Sequence, residues 1–389
     1  SAEIYGEVKQ DKFLPIVCEY HEGEPCLPVF LKHLIYFDFS SPEKVAEEWD
    51  KLLRRLHNKP LYTKPKIGAM PAHLEVGALP ARITVGKLAQ LKEALHQNRP
   101  TAKALIADYT SSLVAHLEEY RIPVPATPEE YAVRLHASLD ALLPLRNEII
   151  EFFELVLTTQ PTTEAVDQVA DLLQDLLPYR FRPESVSSFN KWWWDNYAFF
   201  LHELYLYTVA LFIKLRQFEA LGTFFERRYV LPASVLGNAR ALPFSVFRSH
   251  SEILSHESKK AGQNRLSVEA DLFKQRASLK ALPFTALMQA DLMICLRMMI
   301  HPAAVDLWPP LTLGYAEYSD TFELFIRAQE RRWFKRIASA LGISDKAELV
   351  AKRGEWSKNH ADQLGWLVTH ADLNVDQLIG LEKLDTVGS

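Results

Sequence analysis

Arg327, Arg331 and Lys335 recur at intervals of four, as do Arg332 and Arg336, in the segment RAQERRWFKR. In a helix that spacing sets the cations along one broad face beside Trp333 and Phe334, where they could grip a nucleotide or the phosphates of RNA. Glu323 and Glu330 lie close by and make an ordinary solvated face the competing reading. Three successive indoles, Trp192, Trp193 and Trp194, could stack bases, but at the opening of a very apolar segment they read as core or interface.

Other arrangements approach known chemistry and stop short. His202-Glu203 begins like a zinc-protease helix, but position 206 is Leu where the second histidine belongs, so both residues read as a hydrogen-bonded core pair. Thr84-Val85-Gly86-Lys87-Leu88 suggests a phosphate loop, yet Ala81 stands where the first glycine is needed and Leu88 follows the lysine instead of Ser or Thr. Asp38 ends an apolar run, a place where α/β ligands collect and where an Asp also caps a turn. No dinucleotide, nucleophile-elbow or metal-cluster motif occurs, and neither a cofactor nor a metal is expected.

The elements that must position these residues are mostly helices. Lys12–Glu19 and Leu34–Phe39 have the length and the β-branched or aromatic content of buried strands, separated by a Pro- and Gly-punctuated loop with at most a turn of helix. Ser41-Pro42-Glu43 then opens an amphipathic helix carrying Val45, Trp49, Leu52, Leu53 and Leu56. Two such strands should pair in parallel, and they cannot hide both faces of a sheet, so residues 1 to 58 read as the later part of an α/β domain. Residues 59–80 form a Pro-rich linker.

Beyond it, apolar residues recur at three and four over Leu88–Leu117, Tyr131–Leu157 and Ala165–Leu177, with Pro144 predicting a break or kink. Residues 192–230 are apolar nearly all round and predict one central helix. More helices are expected at Leu266–Ala277, Pro283–Met299, Ser319–Leu341 and Lys346–Lys352. The fold class is therefore mainly α with an N-terminal partial α/β piece, the helical part divided into 81–185 and 186–389.

Composition agrees with that class. Of 389 residues, 48% are apolar and 24% charged, which excludes a largely disordered chain. The 44 Lys and Arg against 49 Asp and Glu, net −5, leave no general electrostatic grip on nucleic acid or membrane, only local patches. Three cysteines, Cys18, Cys26 and Cys295, do not make a disulfide scaffold and suit a reducing cytoplasm. No segment reaches the ~20 apolar residues of a spanning helix, and no membrane partner is expected.

Two stretches carry a resemblance. Lys12–Val17 (KFLPIV), Leu27–Leu31 (LPVFL), Tyr36–Phe39 (YFDF), the helix Glu43–Leu56 and Lys59–Gly68 (KPLYTKPKIG) form, in that order, a series that resembles the C-terminal half of bacterial TIR and SEFIR domains. Asp195–Leu349 is similar to the helical C-terminal region that accompanies such domains.

The resemblance implies a flavodoxin-like half-domain and a bacterial signalling or antiphage defence protein, a homo-oligomer through that domain and the helical region. Its complete TIR or SEFIR domain would hydrolyse NAD as substrate upon assembly. The family's catalytic acid precedes the first of these strands. Glu3 is the only acid near that place here, and it reads as a solvated residue, so no catalytic residue is assigned and the chain alone is expected to be inactive. A non-enzymatic homotypic scaffold is the alternative. A third reading makes the helical domain a sensor of nucleotide or nucleic acid through Arg327, Arg331, Arg332, Lys335 and Arg336.

Overall fold

The computed structural model describes residues 14–32, 34–57, 59, 79–123, 127–183, 186, 189–231, 238–260, 262, 267–301, 308–316, 322–359 and 374–388. Contacts divide the chain into two units, Ser1–Glu75 and Val76–Ser389.

In the first unit β1 (Ile16–Val17) leads into a hairpin of β2 (Tyr20–His21) and β3 (Glu24–Pro25). Its two-residue turn holds Glu22 at φ 52° and Gly23 at φ 84°, the positive values a tight hairpin turn demands. This hairpin stands where the sequence suggested only a loop. A 3-10 turn at Val29–Leu31 then leads to β4 (Phe37–Asp38). As expected from the two apolar runs, β1 and β4 pair in parallel, Ile16 opposite Phe37 and Val17 opposite Asp38. The second strand is shorter than its run, for Ile35 is 93% exposed and pairing begins only at Phe37, while Lys12 and Phe13 of the first run lie outside the described residues.

The helix α1 (Pro42–Leu56) starts as its sequence requires, with Pro42 in the first turn and the Ser41 hydroxyl accepting from the amide of Lys44 at 3.4 Å. It buries Leu52. Trp49, Leu53 and Leu56 share that apolar side but remain 50%, 37% and 61% exposed.

The second unit is helical. It opens with α2 (Leu79–His96), α3 (Ala102–Leu117), α4 (Pro128–Thr159) and α5 (Thr162–Leu176). Residues 60–78 of the expected linker lie outside the described residues. The single periodic stretch at Leu88–Leu117 is two helices, because Asn98 takes φ 50° and the amide of Arg99 turns back to the carbonyl of Ala94 at 2.8 Å. By contrast α4 runs on through Pro144. That proline lies on the exposed side, while Leu142, Leu145, Arg146 and Ile149 are buried, so packing holds the helix across the missing hydrogen bond.

The central segment divides as well. A 3-10 turn at Lys191–Trp194 precedes α6 (Asp195–Lys214), then α7 (Phe218–Glu226) and β5 (Tyr229–Leu231), which pairs antiparallel with β6 (Arg240–Leu242). The break after α6 comes from Arg216 at φ 57°, with the amide of Gln217 reaching the carbonyl of Phe212 at 3.0 Å. The α6 side chains from Asp195 to Phe212 are buried almost without exception, and the helix packs on both α4 and α10 (Phe284–Ile300). Burying each large apolar side chain there contributes about 1.5–3 kcal/mol. Between them run α8 (Glu252–Lys260) and α9 (Val268–Arg276).

The chain closes with α11 (Glu323–Arg327), α12 (Arg331–Leu341), α13 (Lys346–Asn359) and α14 (Val375–Leu378). One helix expected over Ser319–Leu341 is therefore two, apart from residues 317–321, which lie outside the described residues. The C-terminal segment causes the break: Val387 donates to the carbonyl of Gln329 at 2.9 Å and accepts from the amide of Arg331 at 3.0 Å. Backbone groups that would have continued the helix are spent on that bridge. No described helix is long and apolar enough to cross a membrane.

Candidate functional site

The five cations of the α12 region do not lie on one continuous helical face. Arg327 belongs to α11 and the other four to α12, with the turn at 328–330 between them. Two of them, Arg327 and Arg336, still meet at one side chain. The Arg327 guanidinium sits 5.3 Å from the centre of the Trp333 ring and that of Arg336 at 5.1 Å. A third, Arg216 from the end of α6, lies 5.4 Å from the same ring. The edge of Phe218 meets Trp333 at 6.0 Å, and Arg336 also lies 5.5 Å from the Phe218 ring. Cation–π attraction holds each guanidinium, at about 0.5–1 kcal/mol for exposed pairs.

Close helix packing sets this geometry. At Gly222 on α7 a β-carbon would lie 2.7 Å from the carbonyl oxygen of Ser339 on α12, so the two helices approach more nearly than a side chain permits. The α12 helix then ends at Gly342, φ 69°, with the amide of Ile343 returning to the carbonyl of Ala338 at 3.1 Å.

The same helix-ending turn closes α2 at Asn98, α6 at Arg216 and α12 at Gly342. Glycine and asparagine are the residues this position favours; an arginine there costs about 1 kcal/mol. Arg216 is the cation that sequence reading missed. It stands more than a hundred positions before the others, and nothing in its local sequence marks it.

The partners are unequal. Arg327 is paired with Glu323 at 2.6 Å and Arg331 with Asp385 at 3.2 Å. Arg336 donates to the carbonyl of Arg216 at 2.8 Å. Arg216, Arg332, Lys335 and Arg336 are exposed, and among the described residues no carboxylate pairs with them. Beside Arg327 a cleft of about 400 Å³ is lined by Ile326, Gln329, Glu330 and Val387.

The remaining candidates are built into the fold. Glu203 is wholly buried between two arginines, Arg146 at 2.8 Å and Arg276 at 2.8 Å, and the second guanidinium also bonds the carbonyl of Leu139 at 2.6 Å. His202 is buried beside it but separately bonded: its Nδ1 accepts from the amide of Ser249 at 2.9 Å, and burial pushes its pKa down to about 3. So they are core residues, as expected, but not a pair. Trp194 is buried, and Trp192 and Trp193 pack on the core, Trp192 lying 4.7 Å from the Tyr131 ring.

Thr84 donates to Glu148 at 3.1 Å, and Lys87 binds Asp108 at 2.6 Å, so neither serves a phosphate loop. Burial raises Glu148 to about 7 even though Thr84 and Tyr109 both donate to it. Asp195 is likewise raised to about 7 by burial while accepting from Ser251 at 2.6 Å. Asp291 holds Trp308 and Thr312 at 2.7 and 2.9 Å and is raised to about 6 by burial. Asp38 accepts from Lys44 at 2.8 Å, Tyr20 at 2.9 Å and the Ser40 amide at 3.0 Å, the Lys44 bond holding its carboxyl well below the usual range. It is the turn cap.

Glu3 lies outside the described residues. Among the described residues no three His, Cys, Asp or Glu side chains gather as a metal site.

No protein-family profile, curated protein or solved structure matches the chain. Two features stand out in the described geometry: exposed apolar side chains on α1 of the α/β unit, and three arginines around Trp333 in the helical unit.

Proposed function

We propose that the chain is a bacterial signalling or antiphage defence protein of the TIR/SEFIR kind. In this reading its α/β unit assembles with further copies of itself, and the helical unit regulates or extends that assembly. The observation that carries the proposal is the open side of α1, where Trp49, Leu53 and Leu56 face solvent next to a two-strand parallel pair. Parallel sheets are stable when both faces are covered, and exposed apolar rows of this kind mark interaction surfaces.

A second copy of α1 suits that side. Its first half is mainly acidic, with Glu43, Glu47 and Glu48 around Lys44, and its second mainly basic, with Lys51, Arg54 and Arg55 after Asp50; Lys51 also binds Glu48 at 2.6 Å and Arg54 binds Asp50 at 2.5 Å within the helix. An antiparallel copy would set acid against base along the seam, the self-complementary arrangement of a two-fold interface.

The resemblance adds NAD hydrolysis as the output of the assembled complete domain. Cleaving the nicotinamide–ribose bond develops oxocarbenium character, which needs a carboxylate at the ribose and a pocket that excludes water. Asp38 is the acid that ends a strand of the parallel pair, and its oxygens are occupied by Lys44, Tyr20 and Ser40. The reading therefore expects no nicotinamide release from this chain alone and release from a form carrying the whole domain. Release from the chain alone, lost on Glu3→Gln, would contradict the assignment of no catalytic residue. Assembly without release by either form would favour the scaffold reading.

A further inference from the structure

The Trp333 cluster goes beyond this reading, since it lies in the helical unit and needs no part of the α/β unit. Like charges repel, yet three guanidiniums converge on one ring at 5.1–5.4 Å. One of them, Arg336, is fixed by donating to the backbone of another, Arg216. Arg216 in turn occupies a left-handed position where Asn98 and Gly342 stand in the two equivalent turns. An arginine in a left-handed position that favours glycine, beside Arg332, Lys335 and Arg336, which no described carboxylate neutralises, points to an anionic ligand that uses its side chain.

We propose that Arg216 and Arg336, extended along α12 by Arg332 and Lys335, bind nucleic acid through its phosphate backbone, while Arg327, paired with Glu323, helps hold the Trp333 ring. The arrangement favours a chain of phosphates over a single nucleotide. The guanidiniums and the Phe218 edge crowd the Trp333 ring, so it offers no platform for a base. Arg332, Lys335 and Arg336 run along the exposed side of α12 with Arg216 beside them, and none of the four lines the cleft next to Arg327. Contacts of this kind carry no sequence preference, and their affinity falls steeply with salt.

The test is fluorescence anisotropy of a labelled single-stranded RNA of about 20 nucleotides with the full chain, at about 50 and 200 mM salt. Four phosphate contacts predict an affinity loss of about 50-fold between the two salts. The Arg332→Glu/Lys335→Glu double variant should weaken binding at least about tenfold and flatten the salt dependence.

Arg216→Gly separates ligand from scaffold. Glycine suits the left-handed turn, so the melting temperature should hold or rise while affinity falls about fivefold. No binding at low salt, or binding indifferent to both variants, would overturn the proposal. So would competition by ATP or tripolyphosphate as effective, per phosphate, as unlabelled RNA, which would make the ligand a small polyphosphate.

Discussion

Gly222 and Ser339 bring α7 and α12 so close that a β-carbon on the first would lie 2.7 Å from the carbonyl oxygen of the second. That contact places Phe218 at the edge of Trp333 and Arg336 beside Arg216. Backbone on one side of the contact means there is no flexible side chain to yield.

Gly222→Ala should therefore destabilise the fold by about 1–3 kcal/mol, as overpacking does in tight interiors. Urea unfolding would show a lower midpoint with an unchanged slope. Unaltered stability would mean that α7 and α12 are not held at this distance.

Glu203 neutralises two buried arginines at once. Replacing it with Gln keeps the shape but leaves Arg146 and Arg276 without their counter-charge in a dry interior. Removing one partner of such a buried pair costs about 3–5 kcal/mol. The check is the urea midpoint of Glu203→Gln; a loss under about 1 kcal/mol, the scale of a surface pair, would contradict the buried network.

The buried ionisable groups give the stability a pH dependence of two signs. Glu148 is held at about 7, above its ordinary 4.5, chiefly by burial and further by Glu151, against the lowering by Thr84, Tyr109 and Lys92. The folded chain thus keeps a proton that the unfolded chain has lost, and this group's ionisation costs stability as pH rises from about 4.5 through 7. His202 works oppositely: it stays neutral in the fold down to about 3 and protonates near 6.5 when unfolded, so stability falls as pH drops below 6.5. Glu148→Gln should gain on the wild type between pH 5 and pH 8 in urea midpoints. A difference that does not change with pH would contradict the burial of Glu148.

Much of the helical layout was legible because α4, α5 and α10 follow the apolar spacing of their own residues. The parallel strand pair was legible for a similar local reason, two short apolar runs of β-rich composition. What escaped is set by distant or turn geometry. The break at 328–330 comes from Val387, and a local pattern cannot show a bridge to a residue that far along the chain. Arg216 joins the basic cluster only because α6 ends in a left-handed turn, which its arginine side chain gives no reason to expect. Pro144 failed to break α4 because burial on the other side of the helix outweighs one lost hydrogen bond. The cations of the 327–336 segment stand out in the sequence by type and spacing, but the ring that Arg327 and Arg336 share, and Arg216 beside it, are three-dimensional facts.

The central claim is that the open side of α1 drives self-assembly, and sedimentation velocity of the full chain over a wide concentration range tests it most directly. The account predicts reversible association that disappears in Trp49→Glu/Leu53→Glu, a variant that changes exposed side chains and should leave the helical content intact. A wild-type chain that stays monomeric at every concentration, or a variant that associates as the wild type does, would contradict it.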